Sequence, residues 1–317
     1  MIDITSHILP PSVDLRPAIQ QIEDQGQAGT CTANAAASLL EIEFERLHDK
    51  YPSIAIPNLS RLYIYYWERN FEGRVGQGGA YPKDMMEALR VKGVCTEALW
   101  PYDLSQQEVQ PPVACDLEAK QYWVREYTAL HPTEDVTKWA LAADLFRINT
   151  KHAMAQGRPG LVSFSVTQSF KDAGNTIKDW KQFTWDPEAT PANPALGGHE
   201  VVLIGYDDDA QRFLAQNSWS PQWGDGGFFG IPYAFFGLWT VVTSAYCTLK
   251  DCAGNIPVVD YLPRVYDQAR AENIRRYLGE SLIAPIVTDA RIYGATNDEV
   301  DAAMSWPIGT SKTIFNI

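Results

Sequence analysis

The stretch QGQAGTCTANAAASLL, residues 25 to 40, places one cysteine between a glycine-containing turn and an alanine-rich run. Apolar residues recur after it at helical spacing and predict an amphipathic helix from Cys31 to about residue 50, with its glutamates and arginines on the opposite side. A helix N-terminus favours the reactive thiolate, whereas an average free cysteine is a buried core residue. The residues around Cys31 must therefore decide its role. The apolar positions are Ala36, Leu40, Phe44 and Leu47.

The composition is that of a folded, soluble protein. The chain has 317 residues, of which 45% are hydrophobic and 12% aromatic, so it can bury a large core. Its net charge of −13 argues against a nucleic-acid partner, because phosphate binding needs a basic face. No apolar run approaches the roughly 20 residues that span a bilayer, and the first residues lack the features of a signal peptide. We expect no membrane association and a cytoplasmic or otherwise soluble location.

Five cysteines are too few for a disulfide scaffold at this length, and their odd number leaves at least one thiol free. Whether Cys247 pairs with Cys252, or Cys95 with Cys115, stays open at this stage.

Three segments predict domains of different character. Residues 1–115 contain two further predicted helices, at 59–70 after a capping Ser60 and at 82–93 between Pro82 and Gly93. Residues 116–250 contain strand-like runs and are expected to be mainly β. Residues 251–317 form a C-terminal appendage with one predicted helix and no chemical motif. The strand-like runs are QYWVREYTAL at 121–130, GLVSFSV at 160–166, HEVVLIGYD at 199–207 and RFLAQNSW at 212–219.

A cysteine nucleophile needs a base and an oxyanion donor. Gln25 precedes Cys31 across the turn, so its amide could join the Cys31 backbone N–H in holding an oxyanion. Among the five histidines, His199 follows two glycines at the start of an apolar strand and could project from a sheet edge. The other four, His7, His48, His131 and His152, are interpreted as surface residues.

Asn217 ends the next strand-like run, where its carboxamide oxygen could accept a hydrogen bond from His199 and fix the tautomer. Trp219 follows closely enough to cover that hydrogen bond from water. Together with Cys31 they form the nucleophile, base and orienting-residue set of acyl transfer.

In these motifs the chain resembles the papain-like cysteine peptidases, specifically a bacterial branch that lacks the usual active-site disulfide. The resemblance covers about residues 10 to 245. Its blocks, in order, are VDLRP with IEDQGQAGTCTANA, LSRLYIYYWERN, GQGGAYPKDMMEALRVKGVCTEALWPY, GGHEVVLIGYDDD and NSWSPQWGDGGFFGIPYAFF.

The resemblance implies an α+β, two-domain papain-like fold. A helical domain would bear Cys31, an antiparallel β-barrel-like domain would bear His199 and Asn217, and the cleft between them would hold the active site. It also implies Gln25 as oxyanion donor, a peptide or protein substrate, and neither a cofactor nor a metal. A protein partner or inhibitor could act through residues 251–317. The candidate substrate-binding residues are Gly78, Gly79, Gly198, Glu200, Trp219 and Trp223.

Four positions depart from the family pattern. Ala28 replaces a cysteine, which removes a disulfide and fits a reducing compartment, and Thr32 replaces an aromatic residue. Glu200 stands where the family often has a small pocket-lining residue, so it is either a pocket carboxylate that favours a basic or polar group or a solvated one. Ser220 replaces a glycine after Trp219.

The sequence therefore predicts a thiol protease that hydrolyses peptide bonds through a Cys-His-Asn acyl-enzyme. A transpeptidase, amide ligase or amidase would use the same residues, so the sequence does not separate them. A non-catalytic peptide binder on the same fold is disfavoured because the full set is present.

Overall fold

The computed structural model describes residues 9–131, 138–238 and 240–248. Helices dominate the first part of this range and strands the second, which confirms the α+β class. No helix in the described ranges has both the length and the apolar character needed to cross a bilayer.

The three predicted N-terminal helices are confirmed as α1 (Cys31–Lys50), α2 (Arg61–Phe71) and α3 (Pro82–Val91). The hydroxyl of Ser60 caps α2 by accepting the backbone N–H of Tyr63 at 3.2 Å. At the end of α3, Gly93 has a φ of +72°, a left-handed conformation that glycine adopts without a Cβ clash.

The prediction that the polar face of α1 is exposed to solvent is wrong. Glu41 is 8% exposed and Glu43 is fully buried, because α1 packs against α2, α3 and the sheet and is enclosed on almost every side. The periodicity predicted the helix correctly, but it could not show that a second layer covers the polar face.

Three more helices follow, α4 (Val113–Glu118), α5 (Ala143–Ala155) and α6 (Gln168–Thr176). The expectation that the second part is mainly β overlooked α5 and α6. The first predicted strand is also shorter than its apolar run, since only Tyr127–Ala129 is extended.

The strands form one open antiparallel sheet in the described part of the chain. The order is β2-β7-β3-β4-β5-β6, and β1 pairs separately with β4. The strands are β1 (Ser12–Asp14), β2 (Tyr127–Ala129), β3 (Gly160–Thr167), β4 (Ala195–Asp207), β5 (Arg212–Gln216), β6 (Phe228–Pro232) and β7 (Val242–Thr248).

The long strand β4 positions two residues of interest. Its first four residues are exposed and His199 is the first buried one, so the strand begins four residues earlier than predicted. In the register with β3, His199 lies opposite Phe164 and Glu200 lies opposite Ser163. Since side chains alternate along a strand, His199 and Glu200 point to opposite faces of the sheet.

An aromatic core covers one face of the sheet, and α1 packs against β4. Burial of each such ring stabilises the fold by about 1.5–3 kcal/mol. Two histidines interpreted as surface residues belong to the interior: His131 is 6% exposed and stacks on Trp139 at 5.2 Å, and His152 is 8% exposed. Their polar sequence neighbours gave no sign of this burial. Core rings with almost no exposure include Trp139, Phe146, Phe164, Phe170, Phe183, Phe213 and Phe229.

Several predictions fall outside the described residues. They concern His7, Cys252 and the appendage 251–317 with its predicted helix. The proposed domain boundaries after residues 115 and 250 stay predictions.

Candidate active site

Cys31 is the first residue of α1, as predicted. The first backbone hydrogen bond of the helix runs from the Asn34 N–H to the Thr30 carbonyl at 3.0 Å. The Cys31 N–H precedes that bond and so has no acceptor within the helix. The thiol is half-buried and sits at the positive end of the helix dipole.

The surroundings of the thiol act in opposite directions. Backbone N–H groups of Glu200 and Thr32 hydrogen-bond to the sulfur and favour the thiolate. Burial is the larger effect and, with the carboxyl groups of Glu200 and Glu68, it raises the pKa of Cys31 to about 11. The isolated thiol is therefore neutral near pH 7 and needs a proton acceptor in order to react.

His199 and Asn217 form the expected pair. The His199 Nε2 and Asn217 Oδ1 atoms are 2.7 Å apart, and both residues are buried. The same Oδ1 accepts the backbone N–H of Ser218 at 2.8 Å, which identifies this atom as the carboxamide oxygen. His199 must therefore carry its proton on Nε2, and Nδ1 is left as the basic nitrogen.

Aromatic rings enclose the imidazole. The Trp219 ring lies 4.7 Å from the His199 ring at an angle of 30°, and Phe164 meets it edge-on at 5.8 Å. Burial lowers the pKa of His199 to about 4, although the hydrogen bond with Asn217 opposes this shift. The imidazole is thus neutral at pH 7 and ready to accept a proton.

Gln25 has a fixed amide orientation. Its Nε2 donates to the Ala28 carbonyl at 2.8 Å, and its Oε1 accepts the Ser218 hydroxyl at 2.7 Å. The backbone N–H of Gln25 also donates to the Ser218 carbonyl at 2.9 Å. These bonds join the turn before α1 to the segment after β5 and leave one Nε2 hydrogen of Gln25 uncommitted.

The sequence interpretation did not find two residues that hold this turn. Ser218 follows Asn217 directly, so its position was a usable signal. Tyr102 gave no signal, because it is remote in sequence, yet its hydroxyl lies 2.6 Å from Thr30 Oγ1 and donates to the Gln25 carbonyl at 3.2 Å.

The loop with Gly78 and Gly79 lies beside the turn that precedes Cys31. A Cβ atom on Gly29 would lie 3.0 Å from the Gly79 nitrogen, so the close approach of the two backbones favours glycine at position 29. The Gly79 N–H donates to the Tyr65 hydroxyl at 3.3 Å. The carbonyl of the preceding Gln77 accepts a hydrogen bond from the buried Arg69 of α2 at 3.2 Å, which fixes the loop against that helix.

The other four candidate substrate-binding residues have different environments. Gly198 is exposed on β4, and Trp219 contacts the His199 ring. Glu200 is 1% exposed and accepts a hydrogen bond from the Ser163 hydroxyl, so it is not a solvated strand-edge carboxylate. Trp223 belongs to the aromatic core and packs over Gly174. Their roles toward substrate stay predictions.

Two departures from the family pattern now have structural explanations. Thr32 is buried and its hydroxyl donates to Glu68 Oε1 at 2.8 Å, which explains a polar residue at this position. Ser220 keeps the left-handed backbone of a glycine, with a φ of +71°.

The cysteines Cys31, Cys95, Cys115 and Cys247 are free thiols. In the described ranges, no group of three metal-binding side chains comes together.

A thiol at a helix start, a buried imidazole with its orienting amide and a fixed carboxamide define a cysteine-type peptidase, a class of hydrolase. The model of the papain family of cysteine proteases matches residues 9–236, and the chain belongs to this family.

Known proteins agree with this assignment. A crystal structure of xylellain, a cysteine protease from Xylella fastidiosa, has a TM-score of 0.61 and 31% identity over 79% of this chain and 88% of that chain. An uncharacterised peptidase C1-like protein of Acanthamoeba polyphaga mimivirus is 30% identical over 73% of each chain. Pro-cathepsin H of Medicago truncatula is 26% identical, and the alignment spans 71% of this chain but 58% of the relative. The papain-like fold is thus confirmed, while assignment to a bacterial branch stays a prediction.

Proposed function

We propose that the chain hydrolyses peptide bonds through an acyl-enzyme on Cys31, with His199 as acid and base. The main support is the hydrogen bond between His199 and the Asn217 carboxamide oxygen, because it keeps Nδ1 of the imidazole as the basic nitrogen. The thiol at the start of α1 supplies the nucleophile.

In the first step, the Cys31 sulfur attacks the peptide carbonyl and its proton passes to Nδ1 of His199. Burial keeps both groups neutral beforehand, and the transfer creates a thiolate and an imidazolium side by side, each of which stabilises the other. The Asn217 oxygen accepts from the imidazolium, and Trp219 keeps water away from that hydrogen bond.

The negative charge on the former carbonyl oxygen needs donors that are already in place. The uncommitted Nε2 hydrogen of Gln25 and the N–H of Cys31 are both available. One such donor typically contributes about 3 kcal/mol to transition-state stabilisation.

His199 then gives its proton to the leaving amine, and the C–N bond breaks. In the second half, His199 removes a proton from a water molecule, which attacks the thioester, and the thiol is restored. These reaction steps need neither a metal nor a cofactor.

The substrate is a peptide or protein in this proposal. The Gly78–Gly79 loop beside the turn that precedes Cys31 offers backbone groups to an extended substrate chain. The exposed Gly198 and the Trp219 ring lie next to His199. Glu200 and Trp223 would act in substrate binding only after a rearrangement that exposes them, since both are buried.

The test is labelling with a peptidyl electrophile followed by mass mapping. Label on Cys31 that disappears in His199→Ala supports the nucleophile and base assignment. The buried thiols Cys95 and Cys115 are internal controls and should stay unlabelled. Label on these thiols alone, or none at all, would contradict the proposal.

Product analysis separates hydrolysis from the alternatives. Free carboxylic acid products support a protease, whereas amide products that increase with added amine favour a transpeptidase or ligase. The predicted partner contact through residues 251–317 concerns residues outside the described ranges. Deletion of residues 255–317 with unchanged activity and stability would exclude it.

A further inference from the structure

Two carboxyl groups with almost no exposure flank Cys31. Glu68 of α2 is fully buried and Glu200 of β4 is 1% exposed. Thr32 donates to Glu68 Oε1 and Ser163 donates to Glu200 Oε2. The second oxygen of each group, Glu68 Oε2 and Glu200 Oε1, is buried without a hydrogen-bond partner.

A cation that would balance these carboxyl groups does not reach them. Arg69 follows Glu68 in sequence, but its guanidinium bonds to Glu108, to the Gln77 and Gln107 carbonyls and to the Tyr65 carbonyl. Burying an unpaired carboxylate is costly, so both groups favour the protonated form.

The groups that face this pair come from four elements. α1 provides the Cys31 thiol and the Thr32 hydroxyl. The charged neighbours of Glu68 are Arg69 of α2 and Glu72, the residue that follows α2. β3 and β7 provide only the hydroxyls of Ser163 and Ser244, which are joined at 3.0 Å. On β4, His199 points to the opposite face from Glu200.

The two carboxyl groups and the thiol influence one another. Burial raises the pKa of Glu200 to about 8 and the pKa of Glu68 well above its ordinary value. A negative charge on Glu200 raises the pKa of Glu68 further, and a charge on either group raises the pKa of Cys31. A negative charge on Glu200 therefore makes ionisation of Glu68 harder.

We infer that Glu68 and Glu200 are positioning residues that act through Cys31. While both carboxyl groups are protonated, no negative charge beside Cys31 disfavours its thiolate, and loss of the Glu200 proton to solvent lowers the reactivity of the thiol. This inference rests on the proposed role of Cys31 as nucleophile. It assigns an alkaline limit of the enzyme to the acid pair.

The test measures the rate at which iodoacetamide, a neutral electrophile that reacts with thiolates, alkylates Cys31 across a pH series. Peptide mass mapping reports Cys31 separately from the other thiols. Wild-type protein and Glu200→Gln should react at equal rates near about pH 6, where Glu200 is protonated. Near about pH 9 the variant should react up to about tenfold faster, the equivalent of one pKa unit.

A second variant shifts the pH at which reactivity falls instead of removing the fall. The Ser163 hydroxyl lowers the pKa of Glu200, so Ser163→Ala should delay the loss of reactivity to higher pH. The double variant Glu68→Gln/Glu200→Gln removes both acids and should show no alkaline suppression by a carboxylate. A merely structural contribution of these residues would change the overall rate of alkylation without moving or removing the pH at which reactivity falls.

Glu41→Gln is the matched control. Glu41 lies on the same helix as Cys31 and is buried, and burial raises its pKa to about 8 as well. Its neighbours are Leu59, Glu23, Arg61 and Glu97 rather than the thiol. Glu41→Gln should therefore leave the Cys31 profile unchanged.

The outcomes are distinguishable. Wild-type profiles in both Glu200→Gln and the double variant, with Cys31 still labelled, would overturn the inference and leave the proposed function intact. No labelling of Cys31, or labelling that persists in His199→Ala, would instead contradict the proposed function. If Glu200→Gln does not fold, Ser163→Ala decides the matter, since an unshifted profile there also overturns the inference.

Discussion

The hydroxyl of Ser218 donates to Oε1 of Gln25 at 2.7 Å, and this bond determines which end of the Gln25 amide can meet an oxyanion. Without it, the carboxamide could turn and present its oxygen to a negative charge. Ser218 also donates its backbone N–H to Asn217 Oδ1, so this single residue orients both the proposed oxyanion donor and the hydrogen-bond partner of His199.

Ser218→Ala should lower kcat by about twofold to tenfold with KM nearly unchanged, because one neutral hydrogen bond contributes about 0.5–1.5 kcal/mol. If Ser218 acts through Gln25, the double variant Gln25→Ala/Ser218→Ala should be no slower than Gln25→Ala alone. Steady-state kinetics on a peptide substrate measure both effects. Strictly additive losses would show that the hydroxyl has another role.

Asn217→Ala should lower kcat by about 10- to 150-fold, since a hydrogen bond to an ionised group contributes about 1.5–3 kcal/mol. The physical reason is that Oδ1 stabilises the imidazolium that forms when His199 accepts the thiol proton. Steady-state kinetics combined with the pH dependence of alkylation give the measurement. An unchanged kcat in a folded variant would contradict the orienting role.

Tyr65→Phe should lower KM for peptide substrates about twofold to tenfold, the range expected for one neutral hydrogen bond. The Tyr65 hydroxyl accepts the Gly79 N–H at 3.3 Å and competes with any substrate that uses that donor. Tyr51→Phe, at a tyrosine in the connection that follows α1, is the control. A raised KM in Tyr65→Phe would mean that the hydroxyl supports the loop rather than competes with substrate.

Burial of Glu41 should make stability depend on pH. Its folded pKa of about 8 exceeds the unfolded value, so its contribution is fully present below the unfolded pKa and is lost as pH rises toward 8. Glu41→Gln should therefore flatten the decline in unfolding free energy between about pH 5 and pH 8, by up to about 1.4 kcal/mol per pH unit. Urea unfolding at several pH values measures this slope, and Glu188→Gln, at an exposed position, should leave it unchanged.

Ser220→Gly should raise the free energy of unfolding by about 0.5–1 kcal/mol, because a left-handed backbone costs a residue with a Cβ more than it costs glycine. Gln211, with a φ of +53°, offers a comparison in the connection between β4 and β5. Thermal or urea unfolding gives the measurement, and activity should be preserved. A less stable Ser220→Gly would show that the serine hydroxyl, which accepts the Gln222 N–H at 3.4 Å, outweighs the backbone strain.

The sequence predicted most of the local structure. Helical periodicity, the Ser60 cap and the Gly93 stop sufficed for α1, α2 and α3, because these signals lie within one or two turns of the chain. The same reasoning overlooked α5 and α6, whose apolar residues pack against a sheet that local patterns do not reveal.

In the candidate site too, some residues were predictable from the local sequence and others were not. Residue type and local context selected Cys31, His199, Asn217 and Gln25 as candidates. The structure brings Gln25 to the segment after Asn217 and Cys31 to the strand of His199. Ser218 could have been found beside Asn217. Tyr102 could not, since its contact with Gln25 crosses seventy-seven residues of chain.

By itself the sequence determined, to within a few residues, where α1, α2 and α3 begin and end, which cysteine stands at a helix start and which residue types could serve as its partners. Only the tertiary structure decided what surrounds them. Thr32 was unexplained until Glu68 was found against it, and Glu200 changed from a surface or pocket carboxylate into a buried acid beneath the thiol. The physical reason is that burial and electrostatics depend on neighbours distant in sequence, whereas helix propensity and capping depend on neighbours along the chain.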